Sequence, residues 1–429
     1  MRRTAWLPAA AAAVFLLPVA TATASPAAGS GRLLPAERTS GPVASRSPAP
    51  HSRLVFAAAE EDSTLQGFTS GRVPDPRSYW TVRRNLSMYT PALWHLLQRR
   101  RAWLSVNLRW RRDFGPVPKG APHFGELVAF LRTAARHHVG IVAWLTVPYA
   151  DGYWLTEDNV ATFDRAARDF DAWAHRIGFR PEQVLLDLES PLQDSAISSE
   201  ALRDPFPAVA MLDRNVDPAH QCAATGEIER LAGWLTRRGY STSAAAYPFL
   251  LDDVADGDLA LSDGLDMAVP RPGTFGQVAF MVMRSVYASL IGTDPGSSIL
   301  ASYIDAMRRW YGTAAGFSLG VAGQGPYRNL AAMVEDTRLA AALTPGTIGI
   351  YSLETALQAY GRSGIAELFD AAAHPLAGPA LTQASGWSTG TDEARTVLAA
   401  MNDLVTAGLP LATASRGSPQ LANRWPTGC

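Results

Sequence analysis

The sequence carries little charge. Only 18% of its 429 residues are charged, and 38 basic side chains against 39 acidic ones give a formal net charge of -1. A chain of this kind has no basic surface of the sort that attracts nucleic acid or an anionic membrane. We therefore expect neither of these partners.

Cysteine is equally scarce, since Cys222 and Cys429 are the only two. Two cysteines cannot form a CxxC pair or a four-ligand zinc site, so they form either one disulfide or two unrelated thiols. The metal-binding patterns His-x-His and HExxH are absent as well. We expect no metal and no cofactor, and neither a metallohydrolase nor a serine hydrolase.

The N-terminus has the three parts of a secretory signal peptide. Arg2 and Arg3 precede an apolar run over residues 5–20, and the small residues 22–24 follow it. A membrane anchor is the weaker alternative because the run is short and contains Pro8 and Pro18. We predict a signal peptide over residues 1–24, cleaved near Ala24, and a secreted protein with no membrane contact after cleavage.

Residues 25–51 are rich in Pro, Ser, Ala and Gly and show no apolar period. This composition predicts a disordered spacer between the export signal and the folded part.

From residue 53 onward, short apolar runs alternate with amphipathic helical windows, which is typical of βαβ units in an α/β protein. Eight such units predict a closed (β/α)8 TIM barrel over residues 52–373, followed by a short C-terminal helical extension over 374–429 with one helix at Asp392–Leu404. An open doubly wound sheet is the alternative, but no GxGxxG follows the first strand. The predicted strands are Leu54–Ala59, Leu104–Arg109, Ile141–Val147, Gln183–Leu188, Ser241–Tyr247, Leu265–Val269, Gly316–Val321 and Ile348–Ser352. The window Val278–Leu290 is predicted to be helical.

Active sites of such barrels lie at the C-terminal ends of the strands. There, the fourth strand ends in Asp187-Leu188-Glu189, and strand alternation turns both carboxylates toward the barrel axis. Repulsion between two neighbouring acids raises one pKa, which suits the outer Glu189 for protonating a leaving group while Asp187 orients it. The alternative is that the two acids cap a helix or pair with basic residues.

If catalysis needs a second carboxylate from another strand, its candidates are Glu354, Asp266, Asp151 and Glu60, in that order. Glu354 follows the apolar eighth strand, and its structural alternative is a first-turn acid at a helix N-terminus. Asp266 lies within the predicted sixth strand, where it can also be a structural carboxylate of the barrel.

Aromatic and polar side chains follow several strand ends and are candidates for substrate binding, because flat rings stack on sugars. Trp144 and Tyr247 lie within strands and can equally belong to the core. Arg109 and Arg328 can bind a sugar carboxylate or pair with a barrel acid. The predicted substrate-binding residues are Tyr149, Asp151, Tyr153, Trp154, Arg109, Trp110, Tyr247 and Gln324.

With this barrel pattern and the acid pair of strand four, the chain resembles secreted (β/α)8 glycoside hydrolases whose fourth strand ends in Asp-x-Glu, such as family 18 chitinases and related barrels. The resemblance implies that Glu189 is the general acid and Asp187 its assistant. We therefore expect hydrolysis of glycosidic bonds in an extracellular or cell-wall polysaccharide or oligosaccharide. The alternative is a secreted barrel that binds carbohydrate without catalysis.

Overall fold

A computed structural model describes residues 52–58, 86–115, 124–191, 212, 214–396 and 425–426. Within them, eight parallel strands form a closed barrel in which each strand pairs with the next and β1 pairs with β8, with Val55 opposite Gly349. The predicted (β/α)8 barrel is confirmed. The strands are β1 (Arg53–Ala58), β2 (Trp103–Arg109), β3 (Gly140–Thr146), β4 (Gln183–Leu188), β5 (Thr242–Ala246), β6 (Gln277–Phe280), β7 (Ala315–Val321) and β8 (Thr347–Tyr351).

Helices connect these strands, and their ends carry recognisable caps. Thr90 accepts a hydrogen bond from the backbone of Leu93 at the start of the first helix, and Asp217 caps the fourth in the same way. The helices are α1 (Pro91–Arg99), α2 (Phe124–Arg136), α3 (Val160–Ile177), α4 (Pro218–Arg237), α5 (Leu250–Asp256), α6 (Ala260–Gly264), α7 (Arg284–Ile291), α8 (Ser298–Ser302), α9 (Ile304–Tyr311), α10 (Leu330–Leu343), α11 (Leu353–Ala373) and α12 (Gly378–Ser385).

Alternation along the strands divides their side chains between two environments. On β4, Val184, Leu186 and Leu188 are fully buried in the main hydrophobic core, which includes the apolar faces of the helices. Leu185 and Asp187 point the other way and line a cavity inside the barrel. The pattern is the one expected for a parallel sheet covered by helices.

The predicted sixth strand is wrong. Residues 265–269 follow α6 as a largely buried irregular segment, in which Met267 forms an isolated bridge with Thr156 outside the strands. The sixth strand is Gln277–Phe280, in a window predicted to be helical from Val278 to Leu290, and the helix begins only at Arg284. An apolar run of five residues fits a buried loop as well as a strand, so periodicity alone misplaces it.

The remaining predictions for the chain ends lie largely outside the described residues, as do the signal peptide, the spacer and Cys429. Cys222 lies in α4, and its bridge to Cys429 stays a prediction. Residues 389–396 are helical, which agrees with the first part of the predicted helix Asp392–Leu404. No helix in the described part of the chain is long and apolar enough to cross a membrane.

Candidate active site

A cavity of about 190 Å³ occupies the barrel. It extends from side chains just beyond the strand ends, such as Tyr247 and Met283, down to Gln183 and Thr347 near the strand starts. Asp187 and Glu189 are the only carboxylates among its described lining residues. The acid pair predicted from the sequence therefore faces the cavity inside the barrel.

Glu189 is a buried acid of this cavity with a raised pKa. Its side chain is buried, with 8% of the residue exposed, and its Oε2 accepts a hydrogen bond of 2.6 Å from the hydroxyl of Tyr247. Burial raises the pKa of Glu189 to about 7, although hydrogen bonds with Tyr247 and Asp187 oppose the rise. Burial and the neighbouring Glu189 raise the pKa of Tyr247 in turn, so its hydroxyl keeps its proton and donates.

A carboxyl group with a pKa near neutrality is suited to proton transfer, because it is present in both protonation states at neutral pH. Asp187 lies two residues earlier on the same side of the strand and is 4% exposed. A hydrogen bond links Asp187 to the Glu189 carboxyl and opposes the rise in its pKa. The arrangement supplies one acid–base group held by two partners.

One wall of the cavity consists of aromatic rings from β3 and the loop after it: Trp144, Tyr153 and Trp154. Trp154 meets Tyr153 edge to face at 5.2 Å between ring centroids. Tyr153 has a left-handed backbone (φ 64°), which reverses the chain after a short turn and brings both rings back over the barrel. A flat apolar wall beside a carboxyl pair is an arrangement that binds sugar rings.

Two of the predicted binding residues support this wall from behind. Tyr149 stacks on Tyr153 with ring centroids 4.7 Å apart and planes inclined by 9°. The Arg109 guanidinium lies 4.7 Å from the centroid of Tyr149 and 4.9 Å from that of Tyr153, and the residue is 2% exposed. Arg109 therefore holds the tyrosines by cation–π contact and does not line the cavity.

The structure does not bring the leading partner acids to this cavity. Glu354 is buried in the first turn of α11 and accepts a 2.8 Å hydrogen bond from Tyr89. Asp266 lies in the irregular segment after α6 with a left-handed backbone (φ 50°), and its carboxylate accepts a 2.8 Å hydrogen bond from Asn215. Neither lines the cavity, and the prediction that Asp266 lies in a strand is wrong.

The other predicted residues also lie elsewhere. Asp151 is half-buried in a short 3-10 turn after β3, and Trp110 donates its indole N–H to Asp169 at 2.8 Å. Gln324 follows β7 without reaching the described lining. Glu60 lies outside the described residues.

Sequence reasoning missed the lining residues contributed by β6 and the segment that follows it. Ala279, Met281 and Met283 all line the cavity. The alternation of polar or small and large apolar residues in Gln277–Phe280 could have predicted this strand, but the window was interpreted as a helix.

The segment Gly386–Gly390 reads GWSTG and so fits the serine-hydrolase pattern GxSxG, although we do not expect a serine hydrolase. The structure gives Ser388 a structural role. Its Oγ accepts a hydrogen bond from the backbone N–H of Thr391 and donates to the carbonyl of Pro295. The motif follows helix α12 and not a strand, so it lacks the strand-turn-helix context of a nucleophile elbow.

In the described ranges, no group of three or more His, Cys, Asp or Glu side chains is placed to hold a metal ion.

No known family profile matches the chain, and no curated protein sequence matches it. Solved structures with a similar fold include the PgaB (BpsB) glycoside hydrolase domain from Bordetella bronchiseptica, with 13% identity and a TM-score of 0.42 over 75% of this chain and 99% of that one. A chitinase from Chromobacterium violaceum has 10% identity and a TM-score of 0.42 over 74% and 98%. A GH20 catalytic module of the pneumococcal exo-beta-D-N-acetylglucosaminidase StrH has 10% identity and a TM-score of 0.39 over 83% and 98%. These neighbours are glycoside hydrolases, and the likeness lies in the barrel.

Proposed function

We propose that this protein is a glycoside hydrolase in which Glu189 is the general acid. The observation that carries the proposal is the buried Glu189 carboxyl, which is bonded to Tyr247 and lies at the edge of a cavity with an aromatic wall, where burial raises its pKa to about 7. Binding alone does not require a buried carboxyl pair, because taking carboxylates out of water costs free energy. A group held near its midpoint of titration has a use in proton transfer.

In this proposal the protonated Glu189 donates its proton to the glycosidic oxygen as the bond from that oxygen to the anomeric carbon breaks. Water adds its oxygen to the anomeric carbon, and the proton that it gives up restores the acid form of Glu189. Asp187 and Tyr247 hold the Glu189 carboxyl in one orientation through their hydrogen bonds. Trp154 supplies a ring surface for the sugar next to the acid, and the fully buried Tyr153 packs edge to face against it.

The substrate we propose is an uncharged polysaccharide or oligosaccharide outside the cell. The low charge of the chain and the export signal predicted over residues 1–24 support this choice. Arginine does not reach the described cavity lining, which favours a neutral sugar over an acidic one.

The test is release of reducing sugar from a panel of microbial cell-wall and plant glycans by the wild type, by Glu189→Gln and by the matched control Glu182→Gln. Glu182 is exposed just before β4, so its variant changes charge without touching the cavity. We expect hydrolysis of at least one glycan by the wild type and by Glu182→Gln, and a loss of about 100-fold or more in Glu189→Gln. Equal release by wild type and Glu189→Gln would refute the role of Glu189. Glycan binding without hydrolysis by any of the three proteins would favour the carbohydrate-binding alternative.

A further inference from the structure

The interior of this barrel is hollow. The interior of a TIM barrel is ordinarily filled by layers of bulky branched side chains. Here six of the eight strands place glycine, alanine or serine at inward positions that line the cavity. These small residues are Ala57, Ser105, Ser243, Ala245, Ala279, Ser318 and Gly349.

The hollow is reachable from outside the barrel. On β6, Val278 and Phe280 are buried, whereas Ala279 between them is partly exposed. Ala245 on β5 and Ser318 on β7 are likewise partly exposed between buried neighbours. Because a mid-strand residue in a covered sheet can meet solvent only through the interior, the cavity continues below the level of the carboxyl pair.

The lining of this lower part is mainly apolar, although it includes serine hydroxyls. Val142, Trp144 and Leu185 face the small residues from β3 and β4. At the floor, Gln183 donates its side-chain amide to the side-chain oxygen of Gln277 at 3.1 Å, so these two amides satisfy each other. Arginine and lysine are missing from the described lining, so no cation here would hold an anionic ligand.

Two polar atoms in this region have no hydrogen-bond partner in the described part of the chain: Nε1 of Trp144 and Oγ of Ser105. Both are buried on neighbouring strands, and both residues line the cavity. Each can donate to one acceptor oxygen. A buried polar group without a partner costs free energy, which a ligand carrying such an oxygen would recover.

We propose that the barrel interior binds an uncharged, mainly apolar group of about the size of a benzene ring. An apolar protein cavity of about 150 Å³ holds benzene, and this cavity measures about 190 Å³. The group is an apolar substituent or aglycone carried by the saccharide substrate, and it enters the barrel below Glu189, so that the bond to be cleaved lies beside the carboxyl pair. The link to the substrate rests on the proposed function, whereas the affinity of the pocket for apolar groups does not.

The test is titration of the intact protein with fluorobenzene, followed by fluorine NMR. We expect saturable binding to the wild type and binding at least tenfold weaker in Ala279→Leu and in Ala245→Leu, which fill the cavity from two different strands. Ala161→Leu adds the same atoms at an exposed position of α3 and should bind like the wild type. Circular dichroism establishes that each variant is folded.

Fluorobenzene should also inhibit glycan hydrolysis competitively. Absence of saturable binding to the wild type, or unchanged binding in both cavity-filling variants, would overturn the proposed pocket. Saturable binding without competition would overturn its assignment to the substrate. Glu189→Gln separates the two proposals, because it should bind fluorobenzene like the wild type while hydrolysis is lost.

Discussion

Replacing Glu157 by glutamine should stabilise the protein at neutral and alkaline pH. Glu157 is the first residue of a second short 3-10 helix after β3, Glu157–Asn159, and is 4% exposed. Burial, followed by the charges of Asp263, Asp266 and Asp158, raises its pKa from 4.5 to about 10, although a hydrogen bond with Gln221 opposes the rise. Its carboxyl group therefore stays protonated in the folded protein at pH 7 and ionises in the unfolded chain.

The magnitude follows from the two pKa values. Because the folded form binds more protons than the unfolded form between pH 4.5 and about 10, the free energy of unfolding falls as pH rises through this window. Each pH unit between the unfolded pKa of 4.5 and pH 7 contributes about 1.4 kcal/mol, so ionisation of Glu157 stabilises the unfolded chain by about 3 kcal/mol at pH 7. Glutamine has the same shape and no charge to lose. Glu157→Gln should therefore raise Tm by roughly 5 °C at pH 7 for a domain of this size, and by almost nothing at pH 4.

The assay is thermal unfolding of wild type and Glu157→Gln, followed by circular dichroism from pH 4 to pH 9. Glu182→Gln, at an exposed position, is the matched control and should follow the wild type. The gain in Tm for Glu157→Gln should grow with pH. A gain that is constant over the range, or a lower Tm than the wild type at pH 8, would refute the assignment of a protonated buried carboxyl to Glu157.

Three further predictions concern the site and its support. Tyr247→Phe removes the 2.6 Å donor to Glu189, so the pKa of Glu189 should rise, and the alkaline limb of the pH profile of glycan hydrolysis should move to higher pH; an unmoved limb would contradict this. Asp187→Asn should lower kcat by about 100-fold or more with a smaller effect on KM, measured by steady-state kinetics, because it changes the hydrogen bond that orients the Glu189 carboxyl; an unchanged kcat would contradict it. Arg284→Met should cost about 3–5 kcal/mol in urea unfolding, because it strips the partner at 3.1 Å from Asp336, which is fully buried; a cost below about 1 kcal/mol would refute that expectation.

Most of the barrel could be predicted from the sequence, because seven of its strands are apolar runs that end at polar, glycine or proline residues. Strand four was predicted at its observed limits, Gln183–Leu188. Side chains alternate between the two faces of a strand, so the correct limits of strand four are enough to predict that Asp187 points into the barrel. For that reason, the prediction that Asp187 and Glu189 share one side of the barrel end agrees with the structure.

Residues beyond strand ends could not be placed in this way. Glu354 and Asp266 were chosen because they follow apolar runs, but the direction of a side chain in a loop or a first helical turn depends on tertiary contacts. Tyr89 holds Glu354 away from the cavity, and Asn215 does the same for Asp266. Both partners come from distant parts of the chain, so local patterns carry no information about them.

The pairing of β1 with β8 has a consequence for synthesis of the chain. One edge of β1 meets β2 early, but the strand that covers its other edge emerges roughly 290 residues later, which at about 5–20 residues per second leaves that edge open for about 15–60 s. The segment Arg53-Leu-Val-Phe-Ala-Ala has no proline or glycine and only one charge, a composition prone to pair with other chains. Arg53 is the only charged residue of this strand; it is exposed, and its guanidinium lies 3.7 Å from the centroid of the Trp103 ring. Its charge therefore opposes pairing of the open edge with other chains until β8 closes the barrel.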